Sequence, residues 1–505
     1  MQIPKSLTRA AMEGHGLLGV LFGAVVYILC LTGSILVLVD QITIWERPGA
    51  PAIAHLSDSE IAAISVRALA KAQAAGVAHD IYMKMPTDEL PRMTVAGYDE
   101  KGNHREWNVD AAGKLLPHVG TPWLEFMQRL HFNLTLPGAI GRYIVGMFGT
   151  ILLASIVTGL LAHRRIIKDA FRMRWGGSRR LTNADLHNRV GVWALPFHLI
   201  VALTGSLLGL AGLIIIILAM VAYKGDRERA TASLFGPQAV VDARAAPPPD
   251  IARMLRDIQM RAPGANVTQL AIEHAGTLGQ QVRVMVAAPR HLARNEAFLF
   301  SADGHLKWRA GLTDGNAGMR IYGMITPLHY GTYGGVALKI IYALLGMGLT
   351  LIVATGGNVW LARRREQGRA VPRLERLWVA LVWGQPLVIV TVALLTLLGP
   401  APTTLSYWML TAVCWGAAMV HRSLSTTTTS FRWALGGMII LTLLLHAALR
   451  ASAHPIVMLM DIGIIIVIVS SMIMGVRSSK ADRGTGAMKN IPKRFVRTSP
   501  HKNGG

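Results

Sequence analysis

Cysteine is nearly absent: the 505 residues contain two, Cys30 and Cys414, and both fall inside apolar runs. That argues against a structural disulfide, a zinc cluster and a thiolate-held iron–sulfur centre alike. Acidic residues are scarce too, 28 Asp and Glu against 51 Lys and Arg, for a formal charge of +23. A surplus of that size would suit a nucleic-acid binder, but its distribution argues otherwise. Arg164, Arg165, Lys168, Arg172, Arg174, Arg179 and Arg180 share one short loop, and Arg363, Arg364, Arg365, Arg369 and Arg373 share another. The tail after Arg477 is basic as well, whereas two long loops carry mixed charge. Cations gathered between alternate apolar runs are the positive-inside pattern of a membrane protein, and they orient the chain.

What the sequence has in quantity is apolar residues, 52% of all positions. Eight runs approach the roughly 20 residues needed to cross a hydrocarbon core of about 30 Å. They lie near Leu17–Val39, Tyr143–Ala162, Val190–Val221, Val336–Leu361, Leu377–Leu398, Leu405–Val420, Trp433–Leu449 and Ile456–Val476. No small-residue cleavage site follows the first, so it reads as a retained helix rather than a signal peptide. The predicted order is a span in residues 1–40, an outside domain in 41–130, a span in 131–165 and a basic loop in 166–186. A span in 187–222, a second outside domain in 223–324 and a span in 325–365 follow. Four more spans occupy 366–476, and a basic tail 477–505. Both termini are then cytoplasmic.

Each outside segment has a helix-like stretch, Asp58–Ala75 or Asp250–Met260, followed by short alternating strands. The strands are Ile81–Met85, Arg92–Tyr98 and Arg105–Val109 in the first, and Val267–Ile272, Gln281–Val286 and Ala297–Phe300 in the second. The expected fold class is an α-helical membrane protein of about eight spans carrying two small α+β domains of one kind.

An internal repeat runs through the first four helices. His15 precedes Thr32-Gly33 by 17 residues, and His187 precedes Thr204-Gly205 by the same interval. His131 precedes Thr158-Gly159 by 27 residues, and His329 precedes Thr355-Gly356 by 26. Both copies enter the membrane in the same direction, which predicts a pseudo-twofold along the membrane normal. The repeat delivers histidines in pairs, His15 with His187 at the cytoplasmic ends and His131 with His329 at the outer side. Two imidazoles approaching a common centre from opposite sides is the arrangement of bis-histidine haem ligation.

Gly19 and Gly191, one turn after the inner histidines, leave room for a flat macrocycle. Arg142 and Lys339, and Arg189 inside, are candidate propionate contacts. His198, three turns beyond His187 in an apolar run, is either a further ligand or a hydrogen-bond partner. His163 has Trp360 at its repeat-equivalent position. Boundary histidines also commonly just snorkel. His55, His79, His104, His118, His274, His291 and His305 form no metal-spaced cluster, and His421, His446 and His454 make no repeat-related pair. Thr158-Gly and Thr355-Gly are explained by close helix crossings.

At these residues the sequence resembles the PepSY-associated transmembrane-helix family, also called iron-regulated membrane proteins. The matching stretches are His15-Gly-Leu-Leu-Gly with Leu31-Thr-Gly-Ser, and Arg129-Leu-His131 followed by Gly141-Arg-Tyr-Ile-Val-Gly146. Asp185-Leu-His187-Asn-Arg-Val-Gly191 and Pro327-Leu-His329-Tyr-Gly331 complete them. The resemblance covers about residues 10–365. It implies PepSY-like outside domains and similarity to inner-membrane reductases that release iron from ferric siderophores in the periplasm. It also implies two b-type haems, with His15, His131, His187 and His329 as axial ligands. Some relatives carry a fused flavin domain for which this chain has no room, so the expected electron donor is a separate cytoplasmic protein or a quinol. The expected partners are therefore a ferric siderophore or other iron chelate, that donor and membrane lipid, with no nucleic acid. The alternatives are a siderophore or metal permease, though helices 1–4 lack buried carboxylates for ion coupling, and a PepSY-type regulatory membrane protein without redox activity.

Overall fold

The computed structural model describes residues 4–53, 56–99, 101–162, 179–288, 291–293, 295–421, 423–450, 455 and 457–461. Among these, five helices are long and apolar enough to cross a membrane: Lys5–Leu36, Gly138–Ala162, Gly335–Glu366, Pro372–Leu398 and Leu424–Leu449. The third apolar run behaves differently from a single span. It breaks into Arg180–Trp193 and Leu195–Gly209, bent by 74°, and continues as Ala211–Ala222. Pro196 stands in the first turn of the middle piece, where its missing N–H is harmless but where it cannot continue a preceding helix. Thr403–Val420 is a helix of 18 residues. Most of the eighth run and of the first basic loop (Arg164, Arg165, Lys168, Arg172, Arg174) lies outside the described residues, as do the tail, His55, His163 and His454. The chain is a multi-pass membrane protein.

Lys5–Leu36 packs against Gly138–Ala162 and Gly335–Glu366; Gly138–Ala162 packs in turn against Leu195–Gly209, and Gly335–Glu366 against Arg179–Trp193. These contacts close a ring of helices. Two shorter helices precede the second and fourth spans, Pro122–Asn133 and Ala317–Tyr330. Each ends in a left-handed residue, Leu134 (φ 52°) or Gly331 (φ 68°), which reverses the chain. In the reversal after Asn133, Thr135 also has positive φ (59°), and neither Leu134 nor Thr135 is glycine.

The outside segments fold as expected into strands β1 (Val77–Lys84), β2 (Met93–Asp99), β3 (His104–Val109) and β4 (Leu115–Pro117) in the first. The second supplies β5 (Asn266–Glu273), β6 (Gln281–Ala287), β7 (Asn295–Ser301) and β8 (Leu306–Arg309). The strands do not form two separate sheets. They make one antiparallel sheet in the order β4-β3-β2-β1-β5-β6-β7-β8. At the seam Ile81 faces Ile272 and Met83 faces Leu270, and all four are fully buried. Burial of side chains this size contributes about 2 kcal/mol each, so the seam is a core rather than a contact. Helices Asp58–Ala74 and Ile251–Arg261 pack together and share that core. The short β4 and β8 at the sheet's edges leave few open backbone groups for another chain to pair with.

Candidate functional site

The four histidines singled out by spacing are all held by the same ring nitrogen. His15 Nδ1 lies 2.9 Å from the Ser155 carbonyl oxygen on the second span, and His187 Nδ1 lies 2.8 Å from the Ile352 carbonyl oxygen on the fourth. A carbonyl only accepts, so Nδ1 carries the hydrogen in both. His131 Nδ1 is 3.1 Å from Thr32 Oγ1, and His329 Nδ1 is 3.1 Å from Thr204 Oγ1. Those hydroxyls donate to the carbonyls of Ile28 and Ile200 at 2.8 and 2.6 Å. Their oxygens are therefore the acceptors for the imidazoles. All four rings carry hydrogen on Nδ1 and keep Nε2 as a base, which is the tautomer of a metal-ligating histidine fixed by its outer partner.

The rings also lie against glycine. A Cβ at Gly33 would stand 2.7 Å from His131 Cε1, and one at Gly205 would stand 2.9 Å from His329 Cε1. At Gly159 and Gly356 it would stand 3.1 Å from Cε1 of His15 and His187. The Thr-Gly pairs are thus more than helix crossings. Thr32-Gly33 and Thr204-Gly205 supply an acceptor and a bare backbone for one ring each, while Gly159 and Gly356 supply the backbone for the other two. Sequence reasoning missed this, although the recurrence of a Thr-Gly after each histidine was its signal.

The histidines meet as two pairs. His15 and His187 have ring centroids 5.9 Å apart, with planes at 67°. Two imidazoles bound to one metal at about 2 Å per bond place their centroids roughly 6 Å apart, so this spacing fits a single metal between them. His131 and His329 line one cavity of about 350 Å³ with walls that include Val26, Leu29, Phe148, Leu152 and Leu349. Among the described residues no group of three or more metal-type side chains occurs, so neither pair has the further ligands a protein-only zinc or iron site needs. Two imidazoles brought together without further protein ligands suit a haem, which brings four nitrogens of its own. The donor set fits that group.

The sequence profile of the PepSY-associated TM region matches residues 12–363, which takes in all four histidines and both outside segments. The chain belongs to the PepSY-associated TM family. A Pseudomonas aeruginosa protein described as uncharacterised is similar, 32% identical over 326 residues that cover 59% of this chain and 79% of that one.

Within this member of the PepSY-associated TM family the remaining candidates divide. Arg142 lines the outer cavity. Lys339 is turned to another task, since its ammonium is buried and pairs with Asp40 Oδ2 at 2.6 Å and with Glu89. Arg189 is likewise buried, 3.6 Å from Asp185. Around Gly19 and Gly191 no heavy atom lies within 4 Å of where a Cβ would stand, so that side of both helices is open. His198 does not share a face with His187, because the 74° break falls between them. It is buried, hydrogen-bonds the Leu345 backbone and has no partner at Nε2 among the described residues. Arg364, not a histidine, sits over Trp360, 5.1 Å from the ring centroid. His118 approaches Glu106 at 3.7 Å and His305 approaches Asp303 at 3.7 Å, contacts of ordinary surface residues.

Proposed function

We propose that this protein is a di-haem electron-transfer protein of a bacterial inner membrane that reduces ferric siderophores at the periplasmic face and so releases Fe²⁺ for uptake. The observation that supports it best is the common tautomer: four imidazoles in two pairs, each with Nδ1–H engaged by an oxygen acceptor. His15 and His187 would hold the inner haem, and His131 and His329 the outer. When bound, haem supplies a one-electron couple inside a bilayer that otherwise has none. The chain's own groups position and insulate it. Ser155, Ile352, Thr32 and Thr204 fix the rings, the cavity walls exclude water, and Arg142 offers a cation to an anionic edge.

In this reading the two halves are copies of one unit related by a pseudo-twofold, and their outside segments are PepSY-like domains fused into one roof. Both termini are cytoplasmic, and the count of eight spans includes the run beyond residue 455. Electrons come from a separate cytoplasmic donor or from quinol. The substrate is an iron chelate because hard oxygen ligands suited to Fe³⁺ hold Fe²⁺ less well, so one-electron reduction loosens the metal.

The deciding experiment is an absorption spectrum of the detergent-purified protein, oxidised and then dithionite-reduced, with pyridine haemochrome quantitation. Two b-type haems per chain with sharp reduced bands are expected. Folded protein that stays colourless when expressed with ample haem overturns the reductase and leaves the permease or a regulatory binding protein.

A further inference from the structure

The helices after residue 366 carry no histidine of the two pairs, yet they are built onto one of the helices that does. Pro122–Asn133, which carries His131 in its last turn, touches Gln385–Leu398 and Thr403–Val420. Trp123 Nε1 donates to the Ile389 carbonyl at 3.1 Å, Arg129 to Thr403 Oγ1 at 3.3 Å, and Trp408 Nε1 to Thr135 Oγ1 at 2.9 Å. The rings of Phe126 and Tyr407 lie 5.3 Å apart.

The start of that helix is held through a second route. The buried Glu46 carboxylate accepts from the backbone N–H of Trp123 at 3.0 Å and of Leu124 at 3.1 Å. It satisfies two of the three amides open at this first turn, Pro122 having no N–H, and sets a carboxylate at the positive end of the dipole. Glu46 is held in turn by its neighbour. The Trp45 ring stacks on His446 with centroids 4.2 Å apart and planes at 16°. His446 Nε2 donates to the Trp45 carbonyl at 2.8 Å, and Trp45 Nε1 donates to Asp461 at 2.9 Å.

Among the described residues nothing of this kind supports the other histidine. Trp123 stands eight residues before His131, and Ile321 stands eight before His329; Trp123 is 9% exposed and Ile321 63%. Trp45 follows Thr32 by 13 residues, as Ile217 follows Thr204; Trp45 is 4% exposed and Ile217 53%. The helix of His329 is capped instead by its own Asn316 and packs through Gly323 on Leu312 and Ala293 beside the sheet.

We infer that the C-terminal helices are the positioning element for His131, acting through Glu46, Trp45 and His446 to set how that imidazole presents Nε2 to the outer cavity. The inference rests on the reading of His131 as a haem ligand. Trp123 is eight residues from His131, about 12 Å along the axis, so a small tilt where Glu46 grips the helix is a comparable displacement of the ligand.

The test uses the full chain with His446→Leu, His446→Gln and Glu46→Gln. The readout is carbon monoxide binding to the dithionite-reduced protein, because a haem held by two histidines resists it and one that has lost a ligand does not. Wild type is expected to take up none, His446→Leu to take it up at one haem of the two, and His446→Gln, which keeps an N–H for the Trp45 carbonyl, to behave as wild type. If His446→Leu does not accumulate, Glu46→Gln decides, with carbon monoxide reaching the outer haem in part and the inner haem unchanged. Folded variants that bind none, or that open both haems equally, overturn the inference while wild type keeps two haems. A wild type that binds no haem overturns the functional reading and this inference together.

Discussion

The helices ending at His131 and at His329 offer the same imidazole to the same cavity, yet they are supported in different ways. At the ring itself the two agree closely: Nδ1 on a threonine hydroxyl at 3.1 Å in both, and a glycine behind Cε1. Away from the ring they diverge, with Glu46 and the C-terminal helices behind one and Asn316 and the sheet behind the other. The cations that follow diverge as well, Arg142 at the cavity and Lys339 between Asp40 and Glu89. Ligand geometry depends on a few atoms within one turn, whereas many packings can hold a helix still. Local contacts therefore stay alike where supports are free to differ.

The largest effect should come from the rings. His131→Leu and His329→Leu each remove an imidazole proposed to hold the outer haem, and each is expected to reduce the pyridine haemochrome from two haems to one. His15→Leu should lose the other haem and leave the outer one spectroscopically intact. If one of the outer substitutions costs nothing, the two histidines are not partners and the comparison fails at its centre.

Glycine comes next. Gly33→Ala and Gly205→Ala put a methyl 2.7 and 2.9 Å from an imidazole carbon, closer than carbon atoms sit, so the ring must leave its acceptor. Losing the acceptor that orients a ligand through its far nitrogen typically costs about tenfold or more in metal affinity. Haem retention during dilution should fall by that order at the outer site. Gly159→Ala and Gly356→Ala, at 3.1 Å, should cost less. Equal losses at all four positions would show that the ring–glycine distances are not what matters.

Lys339→Met and Arg142→Met separate the two cations. Breaking a buried pair costs about 3–5 kcal/mol, but Asp40 and Glu89 keep 27% and 21% exposure, so about 1–2 kcal/mol is expected. Lys339→Met should lower the melting temperature in detergent and leave haem content alone. Arg142→Met should do the reverse. A matched response would mean that both cations serve the cavity.

Much of this was legible beforehand, and the reason is periodicity. Apolar runs, alternating strands and the two His-to-Thr-Gly intervals are local patterns with one physical reading each. The fusion of the strands into one sheet was not legible, because nothing local to Ile81 or Ile272 says which strand lies beside it. The break at Ala194 hid inside an uninterrupted apolar run, with Pro196 its one sign, and it removed the argument that set His198 on the face of His187. Lys339 looked like a propionate contact because no pattern links it to Asp40 and Glu89, which lie 299 residues from it and in a separate loop. His446 looked idle for the same reason, its partner Trp45 being 401 residues away.

The threonines give the smallest and most discriminating prediction. Thr32 and Thr204 each accept one imidazole N–H, and an acceptor on the far nitrogen makes Nε2 the stronger base and favours the ferric state. Thr→Val at either position removes about 1 kcal/mol of hydrogen bonding, equivalent to about 40 mV for a one-electron couple. Only the part of that energy that differs between the ferric and ferrous states moves the couple, so the outer haem potential should rise by up to that amount in a potentiometric titration followed at the reduced α band, with the inner haem unmoved. Thr→Ser keeps the hydroxyl and should show no shift. Because the two contacts have the same length, Thr32→Val and Thr204→Val should match each other. A larger shift from Thr32→Val would mean that the clamp behind His131 holds its ring too firmly to find another acceptor, while the looser His329 relaxes onto one.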